Sequence, residues 1–204
     1  MKQFLETICI RDGQPQNLEW HQRRVDETLK NFYPVHHHTW TIDKWIDVPL
    51  EFQEGLVRCR IVYDAHLLSI HYFLYTSRMI HSLKLIEGPP GIDYRYKYAD
   101  RKTIEELYNQ RRNADDVLIT KDGWITDTSI GNIAFGKNGR WYTPSIPLLA
   151  GTTWKRLISR GILIPKPIHQ SEILTFDHFK TFNAMNDWEQ SPVCPVANIN
   201  KCVT

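Results

Sequence analysis

The spacing of apolar residues changes character several times along the chain. Residues 4–10 alternate well enough to predict a strand. Arg11-Asp12-Gly13-Gln14-Pro15 carries turn chemistry. From Leu18 the period lengthens: Leu18, His21, Val25, Leu29 and Phe32 share one side of a helix that Asn17 is placed to cap. Residues 34–49 show no period beyond a short helical run at 43–46. Strands are predicted again over 57–64 and 67–75, joined by Asp64-Ala65-His66, and over 79–86. A short strand at 94–96 leads to Lys97, and 100–112 has helical propensity with Ile104, Leu107 and Tyr108 on one side. Two hairpins follow. Runs 117–120 and 124–126 flank Lys121-Asp122-Gly123, and runs 133–135 and 141–143 flank Lys137-Asn138-Gly139-Arg140. Residues 154–160 predict a helix closed by Gly161, 162–167 a strand, 176–180 a turn or helix, and 181–185 a strand. Strands linked by hairpins and interspersed with helices argue for a mixed α/β (α+β) fold, not a doubly wound parallel sheet.

Glu87-Gly88-Pro89-Pro90-Gly91 is the strongest interruption. It predicts a smaller N-terminal α/β domain over 1–90 and a C-terminal α/β domain over 94–204. A length of 204 residues, 42% of them hydrophobic, suffices for one large or two small cores. The net charge of +2 leaves no electrostatic footprint for nucleic acid. No apolar run approaches the length of a membrane span, and the N-terminus lacks a secretory pattern. Cys9, Cys59, Cys194 and Cys202 have neither metal spacing nor a CxxC pair, so free thiols in a reducing cytosol are expected. His36-His37-His38 invites a metal, but consecutive residues of an extended loop point to alternating sides, and no further ligand stands at suitable spacing. A solvated loop without metal is the expectation. These features predict a cytoplasmic protein with no nucleic-acid or membrane partner. The Gly-rich fingerprints of dinucleotide and nucleoside-triphosphate sites are absent.

Candidate chemistry is concentrated in residues 115–153. Asp127 follows the second run of the first hairpin, and Gly151-Thr152-Thr153 opens a helix. An acid at a strand end and a Gly-Thr-Thr helix start suit a ligand with a cationic ring and an anionic tail. Upstream, Arg58 and Arg60 share one face of a predicted strand, with Cys59 and Ile61 on the other. Two arginines on one face suit a carboxylate.

This stretch resembles the class IV aminotransferase family, the pyridoxal-phosphate enzymes of fold type IV. The resemblance rests on Asp127, Ser129, Asn132, Ile133, Thr143-Pro144 and the turn from Leu149 to Thr153. Further pieces stand around it in order: Leu5-Glu6-Thr7-Ile8, Asp12-Gly13 and His21-Gln22-Arg23-Arg24; then Lys97-Tyr98-Ala99-Asp100-Arg101; then Phe182-Asn183-Ala184-Met185 and Pro195-Val196. The Lys97-to-Arg101 spacing and the Asn-Ala-Met segment are most similar to the 4-amino-4-deoxychorismate lyase branch.

The resemblance implies a two-domain, D-amino-acid-aminotransferase-like fold with a C-terminal pseudo-barrel, pyridoxal 5'-phosphate between the domains, a small-molecule amino substrate and a homodimer. It implies that Lys97 carries the cofactor and acts as the catalytic base. Asp127 stands where the family usually has Glu opposite the ring nitrogen, one bond or ~1.5 Å shorter. Arg24, Thr152 and Thr153 are the implied phosphate ligands, and Leu149 packs on the ring. Arg58, Arg60, Arg101 and Asn183 are candidates for the substrate. The implied reaction is the lyase, releasing pyruvate and forming 4-aminobenzoate. The alternatives are an amino-acid aminotransferase of branched-chain or D-amino-acid type, and a binding domain that kept the fold without catalysis. Asp127 and Trp154, where many members carry Lys or Arg, are the departures that favour the last.

Overall fold

The computed structural model describes residues 1–34 and 41–200, so the His36-His37-His38 segment and Cys202 lie outside the described residues. The chain divides into two compact units. Met1–Ser77 together with Tyr96–Asp100 forms the first, and Arg78–Arg95 with the chain from Arg101 onward forms the second.

In the first unit, β1 (Phe4–Arg11) turns through Asp12 and Gly13 onto the two-residue β2 (Gln14–Pro15). Their φ values of 45° and 75° fit a tight turn with two left-handed residues. The amphipathic helix α1 spans Leu18–Phe32, as its period predicts. Asn17 does not cap it with its side chain. It sits left-handed at φ 55° and makes no side-chain cap bond, whereas a capping residue is ordinarily extended. The expected short helix at 43–46 is one 3₁₀ turn, Ile42–Lys44. β3 (Leu56–Tyr63) pairs along all of β1, and β4 (Leu67–Leu74) completes an antiparallel sheet of order β2-β1-β3-β4. Val25 and Leu29 of α1 pack with Phe4, Ile8 and Ile10 of β1 and Val57, Cys59 and Ile61 of β3 in one core. Each such fully buried side chain contributes about 1.5–3 kcal/mol.

The strand predicted at 94–96 is not formed. The pairing occurs just beyond it: Leu5 N–H donates to Lys97 O and Ala99 N–H to Gln3 O, each at 2.9 Å, and Phe4 bridges Tyr98. Aromatic packing sets that register. Tyr96 and Phe32 meet at 4.8 Å between ring centres, and Tyr98 and Phe4 at 5.5 Å.

In the second unit, β5 (Leu83–Glu87) begins four residues later than predicted, and the amides of the two residues just before it, His81 and Ser82, are taken by the Asp115 carboxylate. The Glu87–Gly91 interruption lies inside this unit. Gly88 N–H donates to Thr120 O at 2.8 Å, and Glu87 accepts from the Asp122 amide at 2.6 Å. Helix α2 (Lys102–Tyr108) is shorter than predicted, running into a 3₁₀ turn that stops where Arg112 turns left-handed at φ 54°.

Both predicted hairpins are present: β6 (Asp116–Lys121) with β7 (Trp124–Thr128), and β8 (Asn132–Lys137) with β9 (Arg140–Pro144). Left-handed Asp122-Gly123 and Asn138-Gly139 turn them. Helix α3 (Thr152–Ser159) precedes left-handed Gly161 and then β10 (Leu163–Lys166), which runs parallel to β9. Residues 178–182, expected to straddle a turn and a strand, form the single strand β11 (His178–Phe182) antiparallel to β8. Pairing with a distant strand fixes that register, which local periodicity did not reveal. Short β12 (Cys194–Pro195) and β13 (Ile199–Asn200) complete sheets of order β10-β9-β8-β11-β12 and β13-β5-β6-β7. Leu83, Leu118 and Ile125 of one sheet share a core with Ile133, Phe135 and Phe179 of the other. Only residues 129–131 separate β7 from β8, so the chain passes from one sheet to the other immediately after Asp127.

Candidate active site

The first unit carries a buried ionic cluster. Along β1, Glu6 shares a face with Phe4, Ile8 and Ile10 and is fully buried. A carboxylate on that face needs partners, and α1 supplies them one turn apart. Arg24 donates to Glu6 from Nε to Oε1 at 2.7 Å and from Nη2 to Oε2 at 2.5 Å, and His21 Nδ1 lies 2.5 Å from Oε2. Burial alone would raise the Glu6 pKa, but the Arg24 charge and the His21 bond outweigh it and hold the carboxyl at about 2. Burial pushes His21 below its ordinary value despite the bond to Glu6, and the charges of Arg24 and Lys97 push the same way. A carboxylate that stays ionised only accepts, so neutral His21 must donate from Nδ1, leaving Nε2 as an acceptor. Lys97 enters this neighbourhood through its backbone bond to Leu5, next to Glu6.

Arg58 and Arg60 are half-buried on the other face of the same sheet. The Arg58 guanidinium stacks 4.8 Å from the Phe73 ring centre, and its buried Nε has no hydrogen-bond partner.

The second unit holds Asp127 in a different way. Its carboxylate is buried and accepts at both oxygens from neutral amides: Asn132 Nδ2 to Oδ1 at 2.7 Å, and the Leu149 backbone N–H to Oδ2 at 2.8 Å. Asn132 Nδ2 also reaches Leu149 O at 2.9 Å, which ties the β7–β8 crossover to the turn before α3. That turn requires Gly151, because a Cβ there would collide with Asn132 Oδ1. Gly151 is extended at φ −62° and ψ 155°, and Thr152 and Thr153 open α3 with buried side chains. The first amides of a helix have no acceptor within it and favour an anion. Trp154 turns aside, its indole donating to Thr143 Oγ1 at 3.0 Å.

Arg101 donates to Tyr94 Oη at 3.2 Å and to Ser129 O at 2.7 Å, which places it two residues along the chain from Asp127. Asn183 is committed to its own turn. Its amide donates to Ile130 O at 3.1 Å, and its carbonyl accepts from Met185 N and Asn186 N. Asp116, also fully buried, is pushed above its ordinary pKa by burial, and its Oδ2 has no hydrogen-bond partner.

The structure therefore joins Asp127, Asn132 and Leu149 in one hydrogen-bond network in the second unit, just before Thr152 and Thr153 open α3. Arg24 and Lys97 belong to the first. Sequence reasoning assigned no role to Glu6, His21 or Asn132, although all three stood in the segments it singled out. A charged residue at an apolar position of an alternating strand was the available signal for Glu6.

The class IV aminotransferase family model matches residues 3–199. The chain belongs to the class IV aminotransferase family. A functionally uncharacterised protein of Haemophilus influenzae is 37% identical over 187 residues, covering 91% of this chain and 99% of that protein. A solved structure from Haemophilus somnus, named as a candidate 4-amino-4-deoxychorismate lyase, is 32% identical with a TM-score of 0.84, covering 92% of this chain and 98% of that one. A candidate aminodeoxychorismate lyase of Schizosaccharomyces pombe is 44% identical over 92 residues, 40% of each chain. The fold is thus the type IV fold of a family of pyridoxal-phosphate enzymes that includes lyases and transaminases, and pyridoxal 5'-phosphate is the expected cofactor. The residues present fit that group. The Gly151 turn and the first amides of α3 suit a phosphate, and Asp127 is a buried acid able to accept from a protonated ring nitrogen. No helix among the described residues is long and apolar enough to cross a membrane.

Proposed function

We propose that the protein is a 4-amino-4-deoxychorismate lyase, releasing pyruvate from its substrate and leaving 4-aminobenzoate. The observation that carries this reading is the likeness to the Haemophilus somnus protein, at 32% identity across nearly the whole of both chains. The Schizosaccharomyces pombe relative supports the same branch. Pyridoxal phosphate supplies an electron sink for the carbon that bears the substrate amine.

The chain's own groups do the rest. Lys97 would carry the cofactor at rest, and its Nζ, freed when the substrate amine takes its place, would take the proton from that carbon. Asp127, its carboxylate held by Asn132 and the Leu149 amide, would keep negative charge by the ring nitrogen. Arg24, Thr152 and Thr153 would be the phosphate ligands and Leu149 the apolar contact of the ring, as the family resemblance implies. Arg58, Arg60 and Arg101 bind substrate carboxylate, and Asn183 shapes the loop beside it. The working assembly is a homodimer, as the family resemblance implies.

A transaminase would share the first proton transfer, and the product separates the two. The protein loaded with pyridoxal phosphate is incubated with 4-amino-4-deoxychorismate, and 4-aminobenzoate and pyruvate are measured. Equal amounts of both, lost in Lys97→Ala, are expected. Brisk keto-acid formation from amino-acid/keto-acid pairs without 4-aminobenzoate would make it a transaminase. A protein that takes up no cofactor would be a binding domain.

A further inference from the structure

Glu6, Asp115 and Asp127 are each well supplied with donors. Glu6 has Arg24 and His21, Asp127 has two amides, and Asp115 Oδ2 accepts from the amides of His81 and Ser82 and from Ser82 Oγ. Asp116 is not. It opens β6 fully buried, and its one closed hydrogen bond runs from the Val117 amide to Oδ1 at 2.8 Å. Its Oδ2 has no hydrogen-bond partner among the described residues. A second such atom stands beside it. Leu118 pairs with Thr128, so the start of β6 lies against the crossover that follows β7. Ser129 heads that crossover at 5% exposure, and its Oγ also has no hydrogen-bond partner among the described residues. Burial, the larger effect, pushes the Asp116 pKa up, and the Ser129 hydroxyl draws it down, which marks the two side chains as neighbours.

An ionised carboxylate only accepts, whereas a neutral one carries a donor of its own. A buried charge resting on a single amide bond is costly. A proton on Asp116 Oδ2 removes that cost and gives Ser129 Oγ the partner it lacks. We propose that Asp116 is a positioning residue, a neutral acid whose Oδ2–H donates to Ser129 Oγ and holds the crossover between Asp127 and Asn132. The rest of the crossover is already tied. Ser129 O accepts from Arg101 Nη2 at 2.7 Å, and Thr128 donates from N and Oγ1 to Gly131 O at 2.9 and 3.0 Å. The Ser129 side chain is the remaining link, two residues after Asp127. Neighbouring elements bring several charged or titratable groups to this part of β6. Arg78, before β5, draws the Asp116 pKa down, and its Nη2 donates to Asp115 O. β5 brings Lys84, whose Nζ donates to Gln110 O at 3.1 Å, and the end of α2 brings Tyr108, with Arg111 stacked 4.0 Å from its ring centre. β7 carries Asp127 itself. With its folded pKa raised above 3.8, Asp116 makes stability fall as pH rises from there through the folded value, the reverse of Glu6. The effect on the cofactor rests on the reading of Asp127 as the ring-nitrogen partner; the hydrogen bond does not.

The first measurement needs no cofactor. In the full chain with carbon-13 in its aspartate carboxyls, the resonance that disappears in Asp116→Asn is expected to report a protonated acid at neutral pH. A carboxylate there overturns the neutral donor. The second measurement compares pyridoxal 5'-phosphate with an analogue that carries C–H in place of the ring nitrogen, each read by the absorbance of the bound molecule. The wild type prefers the form with nitrogen. Asp116→Ala and Ser129→Ala each lower that preference by about fivefold, the worth of one net hydrogen bond. The double variant lowers it no further. Asp116→Asn, whose amide donates from the same place, keeps it within about twofold. Equal loss for both ligands, additive loss in the double variant, or an Asn variant as poor as the Ala variant overturns the positioning role. Where Asp116→Ala does not fold, Asp116→Asn and Ser129→Ala decide. A wild type that binds neither ligand sinks the proposed function and leaves the carboxyl titration to judge the pair. A wild type that binds both equally sinks the Asp127 assignment, and the effect on the cofactor with it.

Discussion

Two buried carboxylates, one in each unit, accept from different kinds of donor. Glu6 is neutralised by a cation and held by a second side chain from α1. Asp127 is held by two neutral amides, one of them backbone. The first arrangement couples charge to stability, because removing either partner strands an ion away from water. The second couples the carboxylate to the shape of a turn, because the same Asn132 amide also holds Leu149 O. The difference predicts which changes each cluster tolerates.

The largest effect is expected from Arg24→Ala. It leaves Glu6 ionised and buried with only neutral His21 beside it, and it should cost about 3–5 kcal/mol in denaturant unfolding. A loss below about 1 kcal/mol would mean that the pair contributes no more than a surface bridge.

Acid comes next and acts on the first unit. Because burial lowers the His21 pKa in the folded state, stability begins to fall as pH drops below 6.5, where the unfolded chain takes a proton that the folded chain refuses. The Glu6 contribution is complete above 4.5 and is lost as pH falls toward about 2, since its folded pKa is depressed. That change of ~2.5 pKa units corresponds to up to about 3 kcal/mol. Glu6→Gln should flatten the lower part of the profile, and an identical slope in the variant would break the comparison.

Gly151→Ala should be felt in the second unit alone. Its new Cβ drives into Asn132 Oδ1, and the strain should cost about 1–3 kcal/mol. The turn that opens α3 is expected to shift with it, so cofactor phosphate binding weakens, measured as the preference for pyridoxal phosphate over pyridoxal. Asn132→Ala is milder in strain but leaves Asp127 Oδ1 and Leu149 O each short of a donor, at about 1–2 kcal/mol in total. The loss should appear in denaturant unfolding at neutral pH, and no measurable loss would remove the contrast drawn above.

The local chemistry of the chain was legible residue by residue. The positive φ values at Asp122-Gly123 and Asn138-Gly139 follow from residues that adopt that conformation cheaply, so both hairpins could be placed from four side chains. The 3.6 period placed α1 at its observed bounds. The acid at Asp127 and the glycine before Thr152 were visible for the same reason, since each stands at an element end that sequence chemistry marks.

What local pattern could not supply was the identity of distant partners. β11 took its register from β8, the 97–99 segment found β1 in preference to forming the strand predicted before it, and the Asp115 carboxylate removed two residues from the start of β5. The same limit hid the partners of Glu6 and Asn132. Alternation shows that a carboxylate sits on a buried face, because side-chain direction depends only on the strand period. Which cation meets it depends on how a helix packs across the sheet, and that is a long-range contact with no local trace. By itself, then, the amino-acid order set turns, helix phase and family membership, whereas only the packed chain decided that Glu6 grips Arg24 by its edge and that Asn132 joins Asp127 to the turn before α3.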